Sequence, residues 1–131
     1  MADKPALFAR LLTLLKPGGR LLVTDYCAGA GAPSEGMAEY VAARAYDLHT
    51  VAAYGEMVAA AGFASVRAED RSAELEAALE RELAAAEAGR AAFVATLGEA
   101  EFAAATASWR EKLARVRAGE QRWGLFTARA P

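Results

Sequence analysis

The stretch LLVTDYCAGAGAP, residues 21–33, decides how the chain is read. An apolar run followed by Gly29 and Gly31 has the outline of a strand entering the nucleotide-cradling turn of a Rossmann-type domain. The outline is incomplete. No third glycine follows at the required offset, Pro33 interrupts, and the next helical pattern starts only after Pro33-Ser34-Glu35, so the loop does not open straight into a helix. Residues 20–26, RLLVTDY, remain a strand, and their continuous apolar start predicts burial on both faces at the centre of a parallel sheet. Tyr26 then falls at the carboxyl end of a central strand, where open α/β sheets bind their ligands.

Upstream of that strand, Asp3 before Lys4-Pro5 is a helix start. Phe8, Leu11, Leu12 and Leu15 share one face, and Lys16-Pro17-Gly18-Gly19 ends the helix. Downstream, Met37, Tyr40, Val41, Arg44 and Leu48 lie on one helical stripe, and a second helix begins near Thr50 and stops at Gly62. FASVRAED, residues 63–70, predicts a strand over 64–70 with a solvated face or an edge position. Two helices are then expected. One carries Leu75, Leu79 and Leu83 and ends at Gly89 or Gly98; the other carries Phe102, Trp109, Leu113 and Val116 and ends at Gly119. QRWGLFTAR, residues 121–129, closes the chain as a strand. This order is an α/β pattern, but three strands make a thin sheet, and the strand at 21–24 has no visible neighbour on one side. A partial domain, or one completed by a partner, accounts for the mismatch.

The 131 residues suffice for one globular unit and are too few for two of ordinary size. A net charge of −2 gives no electrostatic footprint for nucleic acid, so an anionic ligand would need specific cations. Cys27 is the only cysteine, which excludes an internal disulfide, and no histidine or cysteine cluster has metal-ligand spacing. The amino terminus has no secretory pattern and no apolar run spans a membrane, so a cytoplasmic, membrane-free setting is expected.

A few residues sit oddly. Arg44 occupies an apolar stripe, either snorkelling to the rim or facing a pocket with the hydroxyls of Tyr40 and Tyr46 as an anion site. Lys112, three residues after Trp109, repeats the anomaly. Two cations on separate inward faces of a slightly acidic chain favour an anionic ligand. His49, the single histidine, reads as structural, Cys27 as a small buried hydrophobe, and the acidic run from Glu74 to Glu82 as a solvated helix face.

The segments DKPALFARLLTLLKPGGRLLVTDYC (3–27), EYVAARAYDLHTVAAYGEMVAAAGF (39–63), AEDRS (68–72) and GEQRWGLFTARA (119–130) resemble the carboxyl-terminal part of phosphoethanolamine N-methyltransferases, especially the plant type, within the class I S-adenosylmethionine-dependent methyltransferases. The resemblance covers nearly the whole chain. It implies a partial Rossmann-like fold: the last three strands with flanking helices, the final strand antiparallel, over residues 1–131 as a single partial domain without its cofactor-binding half. It implies N-methylation of phosphoethanolamine or its methylated derivatives toward phosphocholine, with S-adenosylmethionine as cofactor. By resemblance, Tyr26, Tyr40, Arg44, Tyr46 and Lys112 bind the substrate phosphate. The family's cofactor motif and its active-site histidine would precede Asp3, so no residue of this chain is assigned to catalysis, cofactor or metal, and the isolated chain is expected to be inactive. Gly29 and Gly31 fall in a substrate-side loop. The alternatives are a methyltransferase for another small molecule, and a non-catalytic module that self-associates or pairs with a complete methyltransferase domain.

Overall fold

The computed structural model describes residues 3–131. Helix α1 (Lys4–Leu14) starts where Asp3 Oδ1 accepts the Ala6 N–H and Pro5 sits in the first turn. Strand β1 (Arg20–Ala28) follows, then α2 (Glu35–Arg44), α3 (Val51–Ala60), β2 (Ala64–Asp70), α4 (Ser72–Ala88), α5 (Arg90–Leu97), α6 (Glu99–Arg117) and β3 (Gln121–Arg129). The sheet order is β1-β3-β2, and β3 runs antiparallel to both neighbours, so β1 and β2 are parallel with the last strand inserted between them.

Residues 21, 23 and 27 of β1 turn toward α1 and α3, where Phe8, Cys27, Tyr54, Val58, Phe63, Phe126 and Ala128 form the main core with Leu21 and Val23 packed against it. Tyr54 stacks on Phe126 with ring centroids 4.1 Å apart. The alternate residues of β1 face the other way. Burial on both faces is therefore not what β1 shows: Leu22 is 68% exposed, because helices cover only one face of the sheet at that level. Nor is β1 the centre of this sheet. That place belongs to β3, and the far edge of β1 carries only a parallel bridge from Ala28 to Thr50 among the described residues.

Two further expectations are corrected. Three helices, not two, separate β2 from β3, because Gly89 and Gly98 each end one. The helices α4 and α6 pair through a second core of Leu79, Leu113 and Val116, with Leu75 and Trp109 against it. The stripe through Leu48 is also broken. Helix α2 ends at Arg44 and Ala45 adopts a left-handed conformation (φ 52°), with the Ala45 and Tyr46 N–H groups donating to Ala42 and Val41. Leu48 lies beyond that reversal.

Candidate functional site

The five residues expected at the phosphate come from β1, α2, the loop after α2 and α6, and meet near the carboxyl end of β1. Tyr26 alternates with Cys27 on β1, so its ring projects away from the core and lies edge-on to Trp123, its cross-strand partner, at 5.2 Å. The left-handed cap at Ala45 folds Tyr46 back under α2, so that the Tyr46 ring stands 5.8 Å from Tyr40 and 6.2 Å from Tyr26. Three phenols thus form a continuous row, with a cation over each end. Lys112 Nζ donates to the Tyr26 hydroxyl at 3.0 Å, while the Arg44 guanidinium lies 5.3 Å from the Tyr40 ring centroid. Arg44 is exposed and has no carboxylate partner among the described residues, whereas Arg71, Arg110, Arg117 and Arg122 all form ion pairs.

Three neighbours, Arg115, Trp123 and Gln121, are not singled out by the sequence. Arg115, one turn after Lys112 on the same side of α6, places its guanidinium 3.6 Å from the Tyr40 centroid. Its i+3 spacing from Lys112 was the available signal. Trp123 and Gln121 were read only as strand residues, yet Gln121 is fully buried and its Oε1 accepts from Arg115 Nε at 2.9 Å. The Tyr40 hydroxyl is buried without a hydrogen-bond partner.

Next to Tyr26 and Tyr46 lies a recess of about 310 Å³ lined by Lys4, Leu7, Val23, Asp25, Asp47, Leu48 and Tyr54 as well as the two phenols. Lys4 is only 5% exposed. Its Nζ donates to the Asp47 carbonyl at 2.6 Å and lies 4.0 Å from a carboxylate oxygen of both Asp25 and Asp47. Asp25 Oδ2 also accepts from the Tyr54 hydroxyl at 2.9 Å. Burial, then the Asp25 charge, pushes the Tyr54 hydroxyl well above its ordinary range, and the same two causes push the Cys27 thiol up to about 12. Both groups are therefore neutral, and neither is a nucleophile or base near pH 7. His49 stands before the Thr50 N-cap of α3, its Nε2 2.9 Å from Asp47 Oδ1 and its carbonyl accepting from the Ala28 N–H.

The glycine loop is a junction between two backbones. A side chain on Gly29 would meet the Gly119 carbonyl oxygen at 2.0 Å, and the Gly29 N–H donates to the Glu120 carbonyl at 3.1 Å. Gly29 is glycine because two backbones touch there. The loop then enters α2 through Ser34, whose N–H and hydroxyl donate to Glu120 at 2.6 and 2.9 Å while its oxygen caps Met37. The loop and the near side of α2 line an apolar cavity of about 630 Å³ that shares Tyr46 with the phenol row.

No family model matches the chain. Curated homologues at 43–48% identity are phosphoethanolamine N-methyltransferases. The enzyme from Triticum aestivum is 48% identical over 124 residues, which are 95% of this chain and 25% of the wheat protein. Phosphoethanolamine N-methyltransferase 3 of Arabidopsis thaliana is 46% identical over 127 residues, 97% of this chain and 26% of its own length. The chain thus spans about a quarter of the length of the plant relatives it matches at 43–48% identity. Among solved structures, phosphoethanolamine N-methyltransferase 2 of Haemonchus contortus, in complex with phosphomonomethylethanolamine and S-adenosylhomocysteine, superposes with a TM-score of 0.95 at 29% identity, over 100% of this chain and 30% of that one. The sheet with its inserted antiparallel last strand is a fragment of the class I methyltransferase fold.

Proposed function

We propose that this chain is the carboxyl-terminal, substrate-binding half of an S-adenosylmethionine-dependent N-methyltransferase domain that converts phosphoethanolamine or its methylated derivatives toward phosphocholine. The carrying observation is the row of Tyr26, Tyr46 and Tyr40 with Lys112 and Arg44 over its ends. A phosphate dianion fits such a set: two fixed cations supply charge and three phenols supply hydrogen bonds. The Tyr26 oxygen already accepts from Lys112, which leaves its own proton free to donate to a phosphate oxygen. Anchoring the phosphate orients the amine at the other end of the molecule, so these residues contribute alignment.

S-adenosylmethionine supplies the methyl group in this reading, and the loop at Gly29 does not have the form of its cradle. Gly29 is closed off by Gly119, and the loop reaches α2 through Pro33 and the Ser34 cap. The cofactor site, and the base that removes the amine proton, are assigned to the part of the relatives' length that this chain does not span. No described helix is long and apolar enough to cross a membrane. We place the protein in the cytoplasm with a small phosphobase as its partner.

The test is a thermal melt of the chain with phosphocholine, phosphoethanolamine, choline or S-adenosylmethionine, repeated with Arg44→Ala. A ligand that binds only the folded state raises the midpoint. The expected result is a rise with both phosphobases, absent with choline and S-adenosylmethionine and lost in Arg44→Ala. A rise with choline equal to that with phosphocholine favours another small-molecule substrate, and no rise with any phosphobase defeats the phosphate reading. A second reading, a non-catalytic module pairing with a complete methyltransferase domain or with itself, draws on the open β1 edge and exposed Leu22. Defined oligomers in sedimentation without ligand-induced stabilisation would favour it.

A further inference from the structure

We infer that Arg115 is a positioning residue of the phosphate site: held from behind by Gln121, it fixes the ring of Tyr40 and so the hydroxyl that Tyr40 presents to the phosphate. The inference rests on the phosphate reading of the phenol row. Arg115 makes the tighter of the two cation contacts to Tyr40, 3.6 Å against 5.3 Å for Arg44. At 3.6 Å the guanidinium plane covers the ring in van der Waals contact, which a lysine ammonium cannot reproduce.

Gln121 sets the orientation. It is the first residue of β3 and is 0% exposed; Oε1 accepts from Arg115 Nε at 2.9 Å, and its own Nε2 is buried without a partner. A buried amide nitrogen with no acceptor is unfavourable, and an apolar residue of similar volume would avoid the cost. What the glutamine contributes is the bond to Arg115. That bond runs from the start of the central strand through α6 to α2, linking the three elements that carry Trp123, Lys112 and Tyr40.

The charges on α6 divide accordingly. Arg110 and Arg117 are paired to Glu87 and to Glu76 and Glu80 of α4, on the helix-hairpin side. Arg115 forms no ion pair among the described residues; it shares a recess with Tyr40, Glu39, Glu111 and Glu120, and its close partners are the Tyr40 ring and Gln121.

The experiment titrates phosphocholine into the 131-residue chain, followed by intrinsic fluorescence, for wild type, Arg115→Ala, Arg115→Lys and Gln121→Leu, with a melt of each variant. Arg115→Ala should weaken binding roughly tenfold, the scale of one desolvated cation–ring contact. Arg115→Lys should recover little of it, although it keeps the charge. Gln121→Leu should weaken binding roughly threefold to tenfold by releasing Arg115, although Gln121 is too deeply buried to touch the ligand. Cooperative melts separate these effects from unfolding. If Arg115→Ala does not fold, Arg115→Lys and Gln121→Leu decide. Wild-type affinity in Arg115→Lys, in Arg115→Ala or in Gln121→Leu overturns the inference while leaving the phosphate reading intact. A wild-type chain that fails to bind phosphocholine overturns both.

Discussion

Replacing Gly29 by alanine tests the account of the glycine loop directly. The new Cβ would stand 2.0 Å from the Gly119 carbonyl oxygen, 3.0 Å from its carbon and 3.2 Å from the Glu120 Cα, all backbone atoms that no rotamer change can move. Ordinary contact is roughly 3.5 Å, so the two segments must separate by about 1.5 Å. A shift of that size overpacks the junction, costing about 1–3 kcal/mol. It also breaks the Gly29 N–H bond to Glu120 and strains the neighbouring Ala28 N–H bond to His49. At about 1 kcal/mol each these bring the total to about 3–5 kcal/mol. For a domain of this size, about 4 °C is lost per kcal/mol, so the melting midpoint should fall by about 12–20 °C. Gly31→Ala is the control. It stands at φ +82° with no atom within 4 Å of the added methyl, so only the left-handed backbone is charged to it. That cost is about 1 kcal/mol. Differential scanning calorimetry of the two variants and wild type is the assay. A Gly29→Ala midpoint within 4 °C of wild type, or equal to that of Gly31→Ala, refutes the close-approach argument.

Other perturbations follow from the same geometry. The Cys27 thiol, ordinarily 9.0, is pushed up to about 12 in the fold, so between those values the unfolded chain sheds a proton that the folded chain keeps. Stability is fully present below pH 9 and falls above it, by about 1 kcal/mol at pH 10, and denaturation of Cys27→Ala should show a flatter loss from pH 9 to 10. The raised Tyr54 hydroxyl adds a loss of the same sign above its ordinary 10.0, in wild type and variant alike. Lys4→Met keeps the stem but removes the bond to the Asp47 carbonyl; the partly exposed carboxylates of Asp25 and Asp47 stay hydrated, so urea denaturation should show a loss of about 2 kcal/mol. Glu120→Ala leaves the Ser34 N–H and hydroxyl without their acceptor at the start of α2, and should cost about 1 kcal/mol in the same assay.

Much of the fold was legible because strong punctuation coincides with element ends. Asp3 with Pro5, Thr50, and the limits of the strands at 64–70 and 121–129 stand where local chemistry places them. The errors have a common cause in tertiary context. An apolar run such as Leu21-Leu22-Val23 reads as doubly buried whether or not helices cover its second face, and here Leu22 is exposed. Sequence order also cannot show that β3 inserts between β1 and β2, since the pairing joins residues about a hundred positions apart in the chain, as in Arg20 with Arg129. The break after Arg44 was hidden because the left-handed residue there is Ala45 rather than the glycine that normally marks such a cap.

The site was legible to the extent that its residues are anomalous where they stand. Arg44 and Lys112 drew notice as cations on apolar stripes, and the resemblance named the tyrosines; the structure gathers all five into one row. Beyond its spacing from Lys112, nothing in the sequence distinguishes Arg115 from Arg110 and Arg117 on the same helix. Position in space separates them: Arg110 and Arg117 are neutralised by α4, and Arg115 turns to Tyr40. Local charge is therefore decided by which carboxylates are within reach. In a chain of net charge −2, Arg44, Lys112 and Arg115 have aromatic rings and no carboxylate as ion-pair partners among the described residues, which is the condition the proposed phosphate reading requires of them.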